Sequence, residues 1–90
     1  MSVTVGLPAL FSDRIDGMNP VEVEGSNVAQ VLEALTDRFP VLVRLVWSAE
    51  STLNPVMVLF LNGTQIEQPV LERPVRDGDE VTIVPSIEGG

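Results

Sequence analysis

Residues 56–61 read Val-Met-Val-Leu-Phe-Leu, and Asn62-Gly63 follows at once. Six apolar residues are too few for a buried helix and too unbroken for a strand with one side in water. Asn-Gly is the strongest short signal for a two-residue hairpin turn, because both positions tolerate positive φ. The segment is therefore expected as a central strand whose second face is covered by something.

The flanking sequence fits around it. Val3, Val5 and Leu7 alternate with Ser2, Thr4 and Gly6, the period of a half-buried strand. Pro8 removes a backbone donor and ends that strand or keeps it at an edge. Residues 12–20 carry Asp13, Asp16, Gly17, Asn19 and Pro20 and read as a turn region. Val21 and Val23 alternate with Glu22 and Glu24, so the chain opens on a β-hairpin closed by Gly25. Ser26 is placed to cap a helix. Behind it Val28, Val31, Leu32, Leu35 and Phe39 form one apolar stripe, with Gln30, Glu33, Ala34 and Asp37 on other faces. Pro40 disfavours helical geometry at Phe39 and ends the helix there.

Beyond the helix, Leu42, Leu45, Val46 and Trp47 suggest a short helical turn against the core, and residues 48–55 read as loop. After the hairpin turn, residues 65–68 form a short return strand and 70–75 a connector bounded by Pro69 and Pro74. Asp77-Gly78-Asp79 is a turn, and residues 80–85 are a last strand with Val81 and Ile83 on one face. The order β-β-α-β-β-β describes an α+β chain: a mixed sheet with one helix packed on one face.

The residues that are missing exclude whole classes of chemistry. The 90 residues include no Cys and no His, and all five basic residues are Arg. There is no disulfide, thiolate nucleophile or cysteine metal site. The usual general base at neutral pH is missing too, as are Schiff-base chemistry and any side-chain amine to acylate; the missing lysine fits an arginine-biased composition. No metal site is expected. The formal net charge of −8 argues against binding nucleic acid through its phosphates. No apolar run approaches the roughly 18 residues of a membrane span, and no secretory signal opens the chain, so a cytoplasmic location and no membrane partner are expected. An acidic chain this bare of catalytic side chains reads as a partner or carrier rather than an enzyme, suited to a basic groove on another protein.

The chain ends Gly89-Gly90, only four residues after the last strand. Two terminal glycines arise by chance in roughly 0.5% of chains at ordinary glycine usage. A short tail without side chains can thread a narrow channel. The segment from Asp77-Gly78-Asp79-Glu80 through Val81, Ile83 and Pro85 to Ser86-Ile87-Glu88-Gly89-Gly90 resembles the C-terminus of ubiquitin-like sulfur carriers. That group includes the small subunit of molybdopterin synthase, the thiamine sulfur carrier and the carrier of a thiocarboxylate-dependent cysteine pathway. Leu7-Pro8-Ala9-Leu10 looks more like the cysteine-pathway type, since molybdopterin-synthase subunits more often carry aromatics there.

The resemblance implies a β-grasp (ubiquitin-like) domain over residues 1–85, with a mixed sheet of four to five strands, and a flexible tail over 86–90. It implies that an E1-like enzyme adenylates Gly90, that sulfur displaces AMP to leave a thiocarboxylate, and that an acceptor sulfurtransferase or synthase receives the sulfur. ATP is then used by the activating partner and no cofactor is bound by the chain itself. The protein is a co-substrate or a small non-catalytic subunit. The acceptor stays open among cysteine, molybdopterin, thiamine and secondary-metabolite pathways. A ubiquitin-like modifier joined through Gly90 to target lysines is the alternative, and a passive binding module with an accidental tail is the third reading.

Strand parity assigns a docking face. With Leu59, Leu61, Val81 and Ile83 inward, Val58, Phe60, Thr82 and Val84 point away from the helix, and Pro8 can join them. This resembles the apolar patch that ubiquitin-like proteins present to activating enzymes, with Ile87 and Glu88 in the tail as further contacts and Gly89 grouped with Gly90 at the reacting end. The competing expectation is that residues 41–55 fold over this face. Asp77 and Asp79 are too few ligands for a cation and are assigned to a turn. Glu22 and Glu24 are read as a solvated strand face, Trp47 as packing rather than ligand stacking, and Arg73 and Arg76 as pairing with a partner's acids or with water.

Overall fold

A computed structural model describes residues 2–8, 11, 20–49 and 52–85. Strand β1 (Ser2–Gly6) ends before Pro8 and pairs antiparallel with β2 (Val21–Glu24), in the register Val3 opposite Val23 and Val5 opposite Val21. This is the expected opening hairpin; the turn expected over 12–20 lies, except for Pro20, outside the described residues.

Helix α1 (Val28–Arg38) follows. Val28, Val31, Leu32 and Leu35 are buried and Phe39, its C-terminal cap, is half-buried, so the predicted stripe faces the core. The predicted cap is displaced by one residue. Asn27, not Ser26, is the N-cap, and its Oδ1 accepts from the Gln30 N–H at 2.8 Å. Gln30 Oε1 in turn accepts from the backbone N–H and the hydroxyl of Ser26, a capping box with its return bond shifted one residue outward. The connector supplies the rest: Arg73 O accepts from Val28 N–H and Leu71 O from Ala29 N–H. The N–H groups of Val28, Ala29 and Gln30, which a helix start leaves without intrahelical partners, are thus all satisfied within the protein. Gly25 lets the chain pass under this turn, since a Cβ there would sit 2.9 Å from both Val31 N and Val31 Cγ2.

After α1 come a 3₁₀ turn (Pro40–Leu42) and helix α2 (Val43–Val46), the short helical element expected near there. The predicted loop over 48–55 is a correction. Strands β3 (Trp47–Ala49) and β4 (Thr52–Leu53) form a separate two-stranded ladder. The pair is held by Asn54, whose N–H donates to Val46 O and whose Nδ2 donates to Leu45 O. Strands this short leave no readable alternation.

Strand β5 (Met57–Leu61) turns at Asn62-Gly63 into β6 (Thr64–Gln65). The return strand is shorter and earlier than the predicted 65–68; after Ile66 N–H donates to Leu59 O the ladder stops, and Pro69 has no N–H to extend it. Strand β7 (Glu80–Pro85) matches its prediction. It lies between β1, to which it is parallel, and β5, to which it is antiparallel, in a mixed sheet of order β2-β1-β7-β5-β6. Val3, Val5, Val81, Ile83, Met57 and Leu59 point to one side, where they join the α1 stripe together with Leu42, Val46, Ile66, Val70 and Val75 in one core. Burying each such side chain contributes about 1.5–3 kcal/mol.

Asn62 ties the hairpin to the start of β7. Its φ of 51° and the 89° of Gly63 are the positive values a twist-matched two-residue turn requires. Its N–H donates to Glu80 O, its Oδ1 accepts from Glu80 N–H and its Nδ2 donates to Asp79 Oδ1. Asn62→Ala loses the side-chain bonds and the tolerance of positive φ, and is expected to cost about 1–3 kcal/mol. Asn62→Gly keeps the backbone conformation and is expected to fall between Ala and the native residue. Urea unfolding with an unchanged slope and midpoints in the order Asn, Gly, Ala checks this.

Candidate functional site

The side of the sheet away from α1 carries the alternate residues of each strand: Ser2, Thr4 and Gly6 from β1, Glu22 and Glu24 from β2, Glu80, Thr82 and Val84 from β7, Val58 and Phe60 from β5. The register sets Val58 opposite Val84 and Phe60 opposite Thr82, with Gly6 beside Thr82 on the parallel side. Four of the predicted docking residues, Val58, Phe60, Thr82 and Val84, are therefore one contiguous block. Pro8 follows β1 by two residues at the same end of the sheet as Val84. Val58, Phe60, Thr82 and Pro8 are half-buried and Val84 is 40% exposed.

The rival expectation, that 41–55 covers this block, does not hold for the described residues. Leu42 and Val46 are buried in the core with the α1 stripe, and Trp47 Nε1 donates to Thr36 Oγ1 of α1 at 3.3 Å. The segment packs on the helix side. The expectation of a covered second face on β5 is likewise only half met, since Val58 and Phe60 retain exposure. Glu80 is exposed beside the block at the start of β7, and Glu22 and Glu24 are exposed on the same face one strand beyond it, on β2, so this face is acidic on that side.

Trp47 packs against the core as read from the sequence, and it does something the sequence did not signal. It lines an open groove of about 570 Å³ with Glu33, Thr36, Val43, Arg44, Ser48 and Ala49. Nothing in the one-dimensional pattern marks this groove, because it exists only where β3 returns alongside α1.

The 77–79 turn has a structural duty. Gly78 adopts φ 90°, Asp77 Oδ1 accepts from Ser2 N–H at 2.8 Å, and Asp79 Oδ2 accepts from Arg76 N–H at 2.8 Å. The Asn62 side-chain bond, then the Arg76 backbone bond, then the nearby Arg76 and Arg73 charges hold the Asp79 carboxyl below its usual range. Arg73 and Arg76 are exposed at this end of the sheet.

Strand β7 is paired on both sides and ends at Pro85, five residues before Gly90. The predicted tail residues Ile87, Glu88, Gly89 and Gly90 lie outside the described residues. Among the described residues no helix is long and apolar enough to cross a membrane.

The model of the ThiS family matches residues 12–90. A relative named putative sulfur carrier protein, from Archaeoglobus fulgidus, is 31% identical over 91 residues and aligns along the whole of both chains. The fold is similar to that of the small archaeal modifier protein 1 (SAMP1) of Methanosarcina acetivorans, with a TM-score of 0.86 at 28% identity over 99% of this chain and 96% of the other. A chain in the solved BexX/CysO complex of Amycolatopsis orientalis matches with a TM-score of 0.82 at 27% identity, over 98% and 99% of the two chains.

The depressed Asp79 pKa has a stability consequence. Because folding favours the ionised carboxylate, its contribution is complete above the ordinary carboxylate pKa of about 4 and is lost as pH falls through the lowered folded-state value. Asp79→Asn is expected to lower the melting temperature at pH 7, with the gap to the native chain closing in acid below about pH 4. Paired thermal melts across that range test it; a gap that stays constant in acid would show the carboxylate charge to be irrelevant.

Proposed function

Because the chain belongs to the ThiS family, we propose that it is a sulfur carrier that is activated at Gly90 and acts as a protein co-substrate rather than a catalyst. The full-length likeness to a protein named as a putative sulfur carrier carries this reading. The chemistry of the chain suits it. A free α-carboxyl has a pKa of about 3.5 and at neutral pH is an anion and a poor electrophile. In an activating enzyme its oxygen attacks the α-phosphorus of ATP, pyrophosphate leaves, and an acyl adenylate forms. Hydrosulfide then attacks the carbonyl carbon, the C–O bond to AMP breaks, and the thioacid loses its proton. The resulting thiocarboxylate is a ready nucleophile for an electrophilic acceptor held by a second enzyme. ATP and the bases belong to partners, in keeping with a chain that lacks Cys, His and Lys.

The outer block of Val58, Phe60, Thr82, Val84 and Pro8 is the docking surface in this reading. Apolar centre and acidic side fit a partner pocket edged with Arg or Lys. The tail residues Ile87, Glu88 and Gly89 carry Gly90 onward from the end of β7 into that partner's channel. The CysO of Amycolatopsis orientalis is solved with BexX, which supports a protein partner for this chain as well. The likeness to SAMP1 favours one alternative, a modifier joined through Gly90 to lysines of other proteins.

Intact mass of the protein from its native host, purified without reductant or acid, distinguishes the two. Replacement of one oxygen by sulfur at Gly90 is expected; Gly90 recovered only in isopeptide linkage would overturn the carrier reading. Deleting Gly90 is expected to abolish loading, whereas a passive module would be unaffected. Phe60→Ala and Val84→Glu are expected to raise the carrier KM in ATP–pyrophosphate exchange by about tenfold, close to 1.4 kcal/mol, with kcat unchanged. An unchanged KM would remove this face from the docking surface.

A further inference from the structure

We propose that this chain is built as a donor only: its activated Gly90 carboxyl finds no nucleophile in its own copy or in another, and is left to hydrosulfide or to foreign amines. The inference rests on the carboxyl-activation reading above. Capture by an amine would form a C–N bond at the Gly90 carbonyl carbon while the C–O bond to AMP breaks, AMP taking the electron pair and the amine shedding a proton. The reaction needs a neutral amine or a thiolate. None of the 90 residues is Lys, Cys or His, and the five Arg stay protonated at any working pH. Ser and Thr hydroxyls are weak nucleophiles without an activating base. The α-amine, with a pKa of about 8, is the one competent group.

The fold fixes Ser2 far from the end of β7 at Pro85. The parallel register sets Thr4 level with Glu80 and Gly6 with Thr82. Ser2 is fixed at the starting end of β7, since Gly78 N–H donates to Ser2 O and Ser2 N–H to Asp77 Oδ1, each at 2.8 Å. From Ser2 to the level of Pro85 is seven strand residues, about 23 Å. The five residues after Pro85 reach about 17 Å fully extended, and Met1 adds about 3.5 Å. The two ends of one copy could approach only if the tail reversed at Pro85 and ran fully extended back along the whole sheet, a path that is strongly disfavoured while the sheet is intact. Between copies, the charge of −8 on each disfavours encounter.

The test supplies activation chemically, so that it stands apart from whether the native host loads sulfur. The 90-residue chain is prepared as a C-terminal thioester by intein cleavage. It is compared with a variant carrying Arg44→Lys and Arg73→Lys, two exposed positions where the exchange adds amines at constant charge. Without added nucleophile the native chain is expected to give only the hydrolysed acid, and with hydrosulfide the thiocarboxylate. The variant is expected to give covalent dimers bonded through the introduced amines, located by peptide mass spectrometry. A native product with the mass of the acid less one water, or a native head-to-tail dimer, would overturn the proposal. So would a variant that forms no more adduct than the native chain.

Discussion

The parallel pairing of β1 with β7 is the constraint on which the rest depends. Two parallel strands cannot be joined by a tight turn; the connection must cross from one end of the sheet to the other. The connection runs from the end of β1 to the start of β7: β2, antiparallel to β1, already returns the chain to the Ser2 end, and α1 and β5 follow within it. The pairing is anchored at its starting end by backbone and carboxylate bonds linking Ser2 and Thr4 to residues 77–79. Asn62 brings the β5 turn to the same corner. Three segments far apart in sequence are thus locked at one pole, and β7 leaves that pole toward the other with strands on both sides.

One helix can cover one face of a five-stranded sheet. The other face must be solvated, covered by another chain segment, or kept for a partner. In this chain the segment available to cover it packs on the helix side instead: Leu42 and Val46 are in the core, Leu53 packs against it and Trp47 bonds to Thr36 of α1. The outer residues divide by strand. Toward the β2 edge they are Glu22 and Glu24; at β5 and β7 they are Val58, Phe60 and Val84. Acidic side chains near the β2 edge oppose strand addition there, and the Arg38 guanidinium donating to Glu22 O closes the edge further. The apolar block is left nearest the end of β7 from which the tail departs.

Most of this architecture was legible because long elements carry periodic patterns. The α1 stripe, the alternation in β1, β2 and β7, and Asn62-Gly63 each constrain one element by local chemistry alone. Parity within β5 and β7 then assigned Val58, Phe60, Thr82 and Val84 to one face, and the register places them side by side. What was not legible depended on contacts distant in sequence. Asn27 replaced Ser26 as cap because the 71–75 connector, through Arg73 and Leu71, fixes where the first turn starts. The β3–β4 ladder is too short for alternation to register, and Trp47 lines a groove only because α1 lies across from it. The lowered pKa of Asp79 likewise needs Asn62, seventeen residues away.

Carrier and modifier differ in what reaches the activated carbonyl first, and that competition is decided by concentration and geometry more than by intrinsic reactivity. A side-chain amine on the same chain would act at an effective concentration far above any free sulfide, because intramolecular capture avoids the entropy of a second encounter. A chain meant to await a small nucleophile gains by having no such amine and by holding Ser2, where the described chain starts, at the far end of a stiff strand pair. The parallel β1–β7 pair does this through the same bonds that hold the sheet together. The separation therefore needs no dedicated device: it persists for as long as the sheet does, and a strand-wide opening of β7 is what would remove it.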